Sequence, residues 1–78
     1  MSGDGATDIG IGLIGAGLMG YRHGMAINTF RGARVTAVVD LDFERAEQLA
    51  RKLGAQAVSG SEELLSRADV DEIGRAHV

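Results

Sequence analysis

From Ile9 to Gly20 the chain reads IGIGLIGAGLMG. A short apolar strand runs straight into Gly15-x-Gly17-x-x-Gly20, and twenty positions later Asp40 closes the next apolar run. Few architectures accept that order. Ile9, Ile11, Leu13 and Ile14 alternate with Gly10 and Gly12, and a strand covered on both faces is apolar or small throughout. A strand, a glycine turn, a helix and a second strand in so little chain make a crossover unit, whose two strands lie parallel.

The rest of the chain continues the alternation. Leu18 to Phe30 is expected to be a helix, with Met19, His23, Ala26 or Ile27, and Phe30 on one inward face. That spacing reads His23 as a packed structural histidine and Met19 and Met25 as core filler. Arg34 to Val39, rich in β-branched residues, reads as the second strand. Asp42 is the N-cap expected for a helix reaching Leu53, with Phe43, Ala46, Leu49, Ala50 and Leu53 as its apolar stripe and Gly54 at its C-terminal cap. Glu47 and Arg51 stand four apart on its outer side. Ala55 to Val58 reads as a short third strand. Ser59 and Glu62 form a capping-box pattern for a helix over 60–67. The order is β-α-β-α-β-α.

Each glycine of the turn has its own task. Gly15 permits a tight strand-to-helix turn, Gly17 leaves no Cβ to block an approaching phosphate, and Gly20 lets the helix close on the strand. Ala16, Leu18 and Met19 between them would contribute backbone N–H groups. The first turn of a helix holds unpaired N–H groups and the positive end of the helix dipole, which together receive a pyrophosphate. Asp40 at the end of the second strand would accept hydrogen bonds from the hydroxyls of an adenosine ribose and repel a 2′-phosphate, favouring NAD over NADP. Arg45 lies within reach in sequence and tempers that preference. Gly15, Ala16, Gly17, Leu18, Met19, Gly20 and Asp40 are therefore the expected cofactor contacts.

Composition excludes other chemistry. The 78 residues contain no cysteine and carry a net charge of −3. There is no thiolate site or disulfide framework, and no basic cluster for nucleic acid or an anionic membrane. His23 and His77 are too far apart to form a metal motif. Glu62, Glu63, Asp69, Asp71 and Glu72 read as a solvated acidic face. Met1 to Asp8 is expected to be a flexible leader. It has no basic segment followed by an apolar one, so the expected compartment is the cytoplasm.

These residues resemble the Gfo/Idh/MocA oxidoreductases, the group of glucose–fructose oxidoreductase and inositol dehydrogenase. IGLIGAGLMGYRHG is similar to that family's GxGxxGxxH pattern, VTAVVDLDFERAEQLARKLGA to its second strand and helix, and SEELLSRADVD to its third helix. The resemblance implies a Rossmann-type doubly wound parallel sheet and an NAD(P)-dependent enzyme. Its substrate would be a sugar, cyclitol or related hydroxyl compound, and the full-length protein would be a homo-oligomer. It carries Gly15, Gly17 and Gly20 over as pyrophosphate contacts and Asp40 as the ribose contact. It carries over no catalytic residue. The family's Glu-Lys-Pro segment is missing, since the chain has no proline and its one lysine, Lys52, falls inside a helix.

After Asp71 the resemblance ends. Glu72 to Val78 reads EIGRAHV, which also translates a common sequencing adapter. Gly74, Arg75 and His77 do not suit a strand buried on both faces. The expectation is a partial dinucleotide-binding domain over 9–71, truncated before its fourth strand, with 72–78 foreign to the fold and Ile9 to Ile14 bare at one edge. Such a piece would itself be inactive. The competing readings are a free-standing nucleotide-sensing half-domain without chemistry, or the same fold holding FAD or S-adenosylmethionine.

Overall fold

The computed structural model describes residues 9–75. The proposed leader and His77 lie outside them. Four strands and three helices alternate: β1 (Ile9–Ile14), α1 (Leu18–Thr29), β2 (Ala33–Val39), α2 (Phe43–Leu53), β3 (Gln56–Val58), α3 (Ser61–Ser66) and β4 (Glu72–Arg75). All pairings are parallel, and the strand order is β3-β2-β1-β4. After β3 the chain crosses to the far side of β1. The point where the strand order reverses therefore falls between β1 and β4, and in open α/β sheets ligands gather outside the strand ends there.

Two cores sandwich the sheet. On one face Leu13, Val35 and Val38 meet Ala46, Leu49, Ala50 and Leu53 of α2. On the other, Ala37, Val39 and Val58 meet Leu64, the buried residue of α3, with Ile14, Val70 and Ile73 packed around them. Helix α2 matches its sequence reading closely. Asp42 accepts hydrogen bonds from the N–H groups of Glu44 and Arg45, and Gly54 closes the helix in the left-handed conformation at φ 72°. Phe43 alone leaves the expected stripe and stands half-exposed. Glu47 and Arg51 do not pair; among the described residues the ion pair is Arg67 with Asp69, at 2.8 Å.

The fourth strand corrects the expectation of a sheet ending at β1. Residues 72–75 pair with Ile11 to Ile14 in register and cover that edge. Ladder hydrogen bonds join backbone to backbone, so the side chains of EIGR do not forbid them. Gly74 lies opposite Leu13, and the space above it lies within ordinary contact of Ile11 and Leu13. Ile73 packs against the second core. A reciprocal pair secures the strand's entry: Asp71 donates its N–H to the Gly10 carbonyl at 2.7 Å, and Gly10 donates its N–H to the Asp71 carboxylate at 2.8 Å.

Helix α1 departs further from its reading. Its buried residues are Gly20 and Gly24, while His23, Ala26 and Phe30 are exposed and Met25 is half-exposed. The face turned to the sheet is the glycine face, because the helix lies so close that a Cβ at Gly24 would meet the Leu53 side chain. His23 is thus a surface residue and Met25 is not core. Asn28 ties the end of α1 to both neighbours. Its Nδ2 donates to the Leu53 carbonyl at 3.0 Å and its Oδ1 accepts from the Val35 N–H at 2.8 Å.

The acidic residues near the end are not simply solvated. Asp69 binds Arg67, Asp71 binds Gly10, and Glu63 accepts from both the N–H and the Oγ of Ser59. The partner of Ser59 is therefore Glu63 rather than Glu62, and Gly60 is the N-cap of α3.

Candidate functional site

The C-terminal ends of β1 and β2 deliver the glycine turn and Asp40 to the same place. Gly15 follows β1 with φ 101°, in the left-handed region where a side chain is strained. Its N–H donates to the Val39 carbonyl at 2.8 Å. The next N–H, that of Ala16, donates to Asp40 Oδ2 at 2.8 Å. Asp40 Oδ1 accepts in turn from the N–H of Asp42, also at 2.8 Å. The turn is thus fastened to the end of β2 by one backbone bond and one carboxylate.

Gly17 and Gly20 differ from each other in kind. At Gly20 a Cβ would run into the Gly15 carbonyl, so the fold itself requires glycine there. Gly17 has an ordinary φ of −79°, and a Cβ on it would meet only Arg45 Nη1, 3.9 Å away. Neither conformation nor packing demands glycine at that position. The space above it is open on the side where α1 begins.

The N-terminus of α1 is bare. No side chain caps it and its first turn holds no acidic residue. By contrast, α2 carries the Asp42 cap and Glu44, and α3 begins with Glu62 and Glu63. The first N–H groups of a helix have no partner within it, so Leu18 and Met19 present backbone donors at the positive end of the helix dipole. Arg45 adds a cation beside the turn. It lines, with Ala16, Gly17 and Lys52, a recess of about 260 Å³ between α1 and α2.

A second recess, of about 230 Å³, lies beyond Asp40 and is lined by Ile14, Val39, Leu41 and residues Ser59 to Ser61. Leu41 is fully exposed at its rim. The sequence reading gave Leu41 no role, and gave Ser59 only that of a helix cap. The available signal was a lone apolar residue in an otherwise polar strand-to-helix turn.

Asp40 sits in an ambivalent setting. Burial raises its pKa. The N–H groups of Asp42 and Ala16 and the charge of Arg45 lower it more, and the net effect holds the carboxyl below its ordinary value of 3.8. It is therefore ionised and oriented at neutral pH. Among the described residues no three His, Cys, Asp or Glu side chains gather to hold a metal ion, and no helix is long and apolar enough to cross a membrane.

Comparison with known proteins agrees with this geometry. Residues 9–73 match the oxidoreductase family with an NAD-binding Rossmann fold, GFO_IDH_MocA. Inositol 2-dehydrogenase 4 of Saccharopolyspora erythraea is 38% identical over 77 residues, covering 90% of this chain and 23% of that protein. The crystal structure of myo-inositol dehydrogenase from Lactobacillus casei, in complex with NAD(H) and myo-inositol, superposes with a TM-score of 0.79 at 35% identity, over 87% of this chain and 21% of that one. A 3-ketoreductase from Actinomadura kijaniata, in complex with NADP and TDP-benzene, gives 0.77 at 30% identity, over 85% and 21%. The chain spans about a fifth of the length of these relatives. It belongs to the Gfo/Idh/MocA family of oxidoreductases and carries that family's NAD-binding Rossmann fold.

Proposed function

We propose that this chain is the cofactor-holding part of an NAD-dependent dehydrogenase acting on a cyclitol, sugar or related polyol. The observation that carries the reading is Gly17, a glycine that neither its φ of −79° nor its neighbours require. A ligand that must approach the backbone there accounts for it. Gly17 and the N–H groups of Leu18 and Met19 would hold the pyrophosphate. Asp40 would accept from the hydroxyls of the adenosine ribose, and Leu41, at the rim of the recess before Ser59, would take the adenine. When bound, the nicotinamide accepts or returns a hydride.

The described residues bind and orient, and we place none of them at the proton of a substrate hydroxyl. We assign that work to the rest of the full-length protein, which would act in the cytoplasm as a homo-oligomer. The 78-residue chain alone should therefore bind the adenosine half of the cofactor weakly and turn nothing over.

A second cofactor has one observation in its favour. Arg45 stands beside both Gly17 and Asp40, and a cation in that position lowers the repulsion a 2′-phosphate would meet. NADP is thus disfavoured by Asp40 but not barred. Calorimetric titration with NAD, NADP, FAD and S-adenosylmethionine tests the reading. NAD binding more tightly than the other three supports it, and preference for FAD or S-adenosylmethionine overturns it.

A further inference from the structure

We propose that Asp40 does more than meet a ribose: acting through Ala16, it is the positioning residue that holds the phosphate turn in its binding shape before any ligand arrives. The proposal rests on the dinucleotide reading for its purpose and on geometry for its substance. A carboxylate has two oxygens and about four acceptor positions. In this structure each oxygen spends one, Oδ2 on the Ala16 N–H and Oδ1 on the Asp42 N–H, both at 2.8 Å. One position on each oxygen is left over, and two adjacent acceptors match the two neighbouring hydroxyls of a ribose. Asp40 can then receive the diol without releasing the turn.

The bond to Ala16 falls in the middle of the stretch that must be fixed. Gly15, just before it, is held at φ 101° by its own N–H bond to Val39. Gly17, just after it, is the N-cap of α1 and has no side-chain partner to set its direction. Between Gly15 and Gly17, whose carbonyl accepts the Tyr21 N–H at 2.9 Å but whose N-cap position no side chain holds, the Asp40 carboxylate is the side-chain anchor that sets where the first N–H groups of α1 point. Preorganised donors bind an anion better than donors that must be ordered on contact. Arg45 and the N–H groups of Ala16 and Asp42 act on the Asp40 carboxylate, and Ser59 and Ser61 line the recess that it shares.

Removing the carboxylate separates this role from a simple ribose contact. The neutral amide of Asp40→Asn keeps an acceptor for Ala16 or for Asp42 and turns its NH₂ on the other, so the exchange experiment uses Asp40→Ala, whose methyl accepts from neither. Amide hydrogen exchange in the ligand-free chain should show Ala16 exchanging roughly tenfold faster in the variant, the worth of one hydrogen bond to a charged acceptor. The core amides of Val38 and Leu49 should hold their rates. Unchanged exchange at Ala16 overturns the proposal. If the variant does not fold, the wild-type chain decides. The Ala16 and Asp42 amide resonances should shift together as the Asp40 carboxyl is titrated, and their failure to do so is equally fatal.

A ligand arm completes the test. ADP contacts Asp40 through its ribose, whereas 2′,3′-dideoxy-ADP cannot. Weaker binding of both to Asp40→Ala supports a positioning role, and loss of ADP alone overturns it. Should the wild-type chain bind neither nucleotide, the dinucleotide reading falls while the exchange measurement still judges the turn.

Discussion

The carboxylate of Asp40 and the backbone N–H of Ala16, 24 residues apart in the chain, meet at 2.8 Å. That one bond joins the end of β2 to the glycine turn after β1. It brings a carboxylate onto the same spot as the bare N-terminus of α1.

Gly17 and Gly20 should respond oppositely to alanine. Gly20→Ala pushes a methyl into the Gly15 carbonyl, a backbone atom that cannot swing away. Overpacking of this kind costs about 1–3 kcal/mol, and a chain this short has little stability to lose. Its thermal midpoint should fall sharply. Gly17→Ala meets only the distant Arg45 guanidinium. It should change stability by less than about 1 kcal/mol, the scale of a weakened helix cap, yet lower NAD affinity severalfold. Paired thermal melts and NAD titrations check both.

Leu64 is the buried residue of α3 and fills the second core against Ala37, Val39 and Val58. Leu64→Ala should destabilise the chain by about 2–5 kcal/mol. Helix α3 has no other buried anchor, so its amides and those of β3 should lose exchange protection before the α1 and α2 face does.

Asn28 holds two backbone groups at once, the Val35 N–H and the Leu53 carbonyl. Asn28→Ala leaves both without a partner and should cost about 1–3 kcal/mol by chemical denaturation. Asn28→Asp keeps an acceptor for Val35 but sets a negative charge against the C-terminal carbonyls of α2, the negative end of that helix dipole. It should rescue little.

Acid should unfold the chain partly through Asp40. Its pKa in the folded protein lies below the ordinary 3.8: burial opposes ionisation, and the N–H groups of Asp42 and Ala16 and the charge of Arg45 outweigh it. A depressed carboxyl stabilises the fold above its unfolded pKa, and that stability drains away as pH falls through the folded value. The loss should therefore begin near pH 4 and deepen below it, and Asp40→Asn should flatten that limb of the stability curve. Asp69 shifts in the same direction, first through its hydrogen bond to Arg67. That pair lies at the surface, with Asp69 half-exposed, and should contribute little.

Gly15 and Gly20 were readable from the sequence because backbone geometry requires glycine there, and Asp40 because it closes an apolar run at a fixed spacing from them. Helix α2 was readable because its cap, stripe and terminal glycine agree with one another. Helix α1 was misread for a physical reason. It packs through Gly20 and Gly24, residues that contribute nothing to an apolar periodicity; of the expected face Ile27 does pack against the α2 core, while Met25 and Phe30 face outward. Strand β4 was missed because its pairing is made by the backbone and its side chains resemble no strand pattern. The recess before Ser59 is formed by two loops that meet only in three dimensions.

The most direct test is a titration of the isotope-labelled chain with NAD, followed by amide resonances. The account predicts shifts confined to residues 15–20, to Asp40 and Leu41, and to residues 59–61, with the Ala16 resonance persisting throughout. No shift at saturating NAD, or shifts gathered on the opposite ends of the strands, would contradict it.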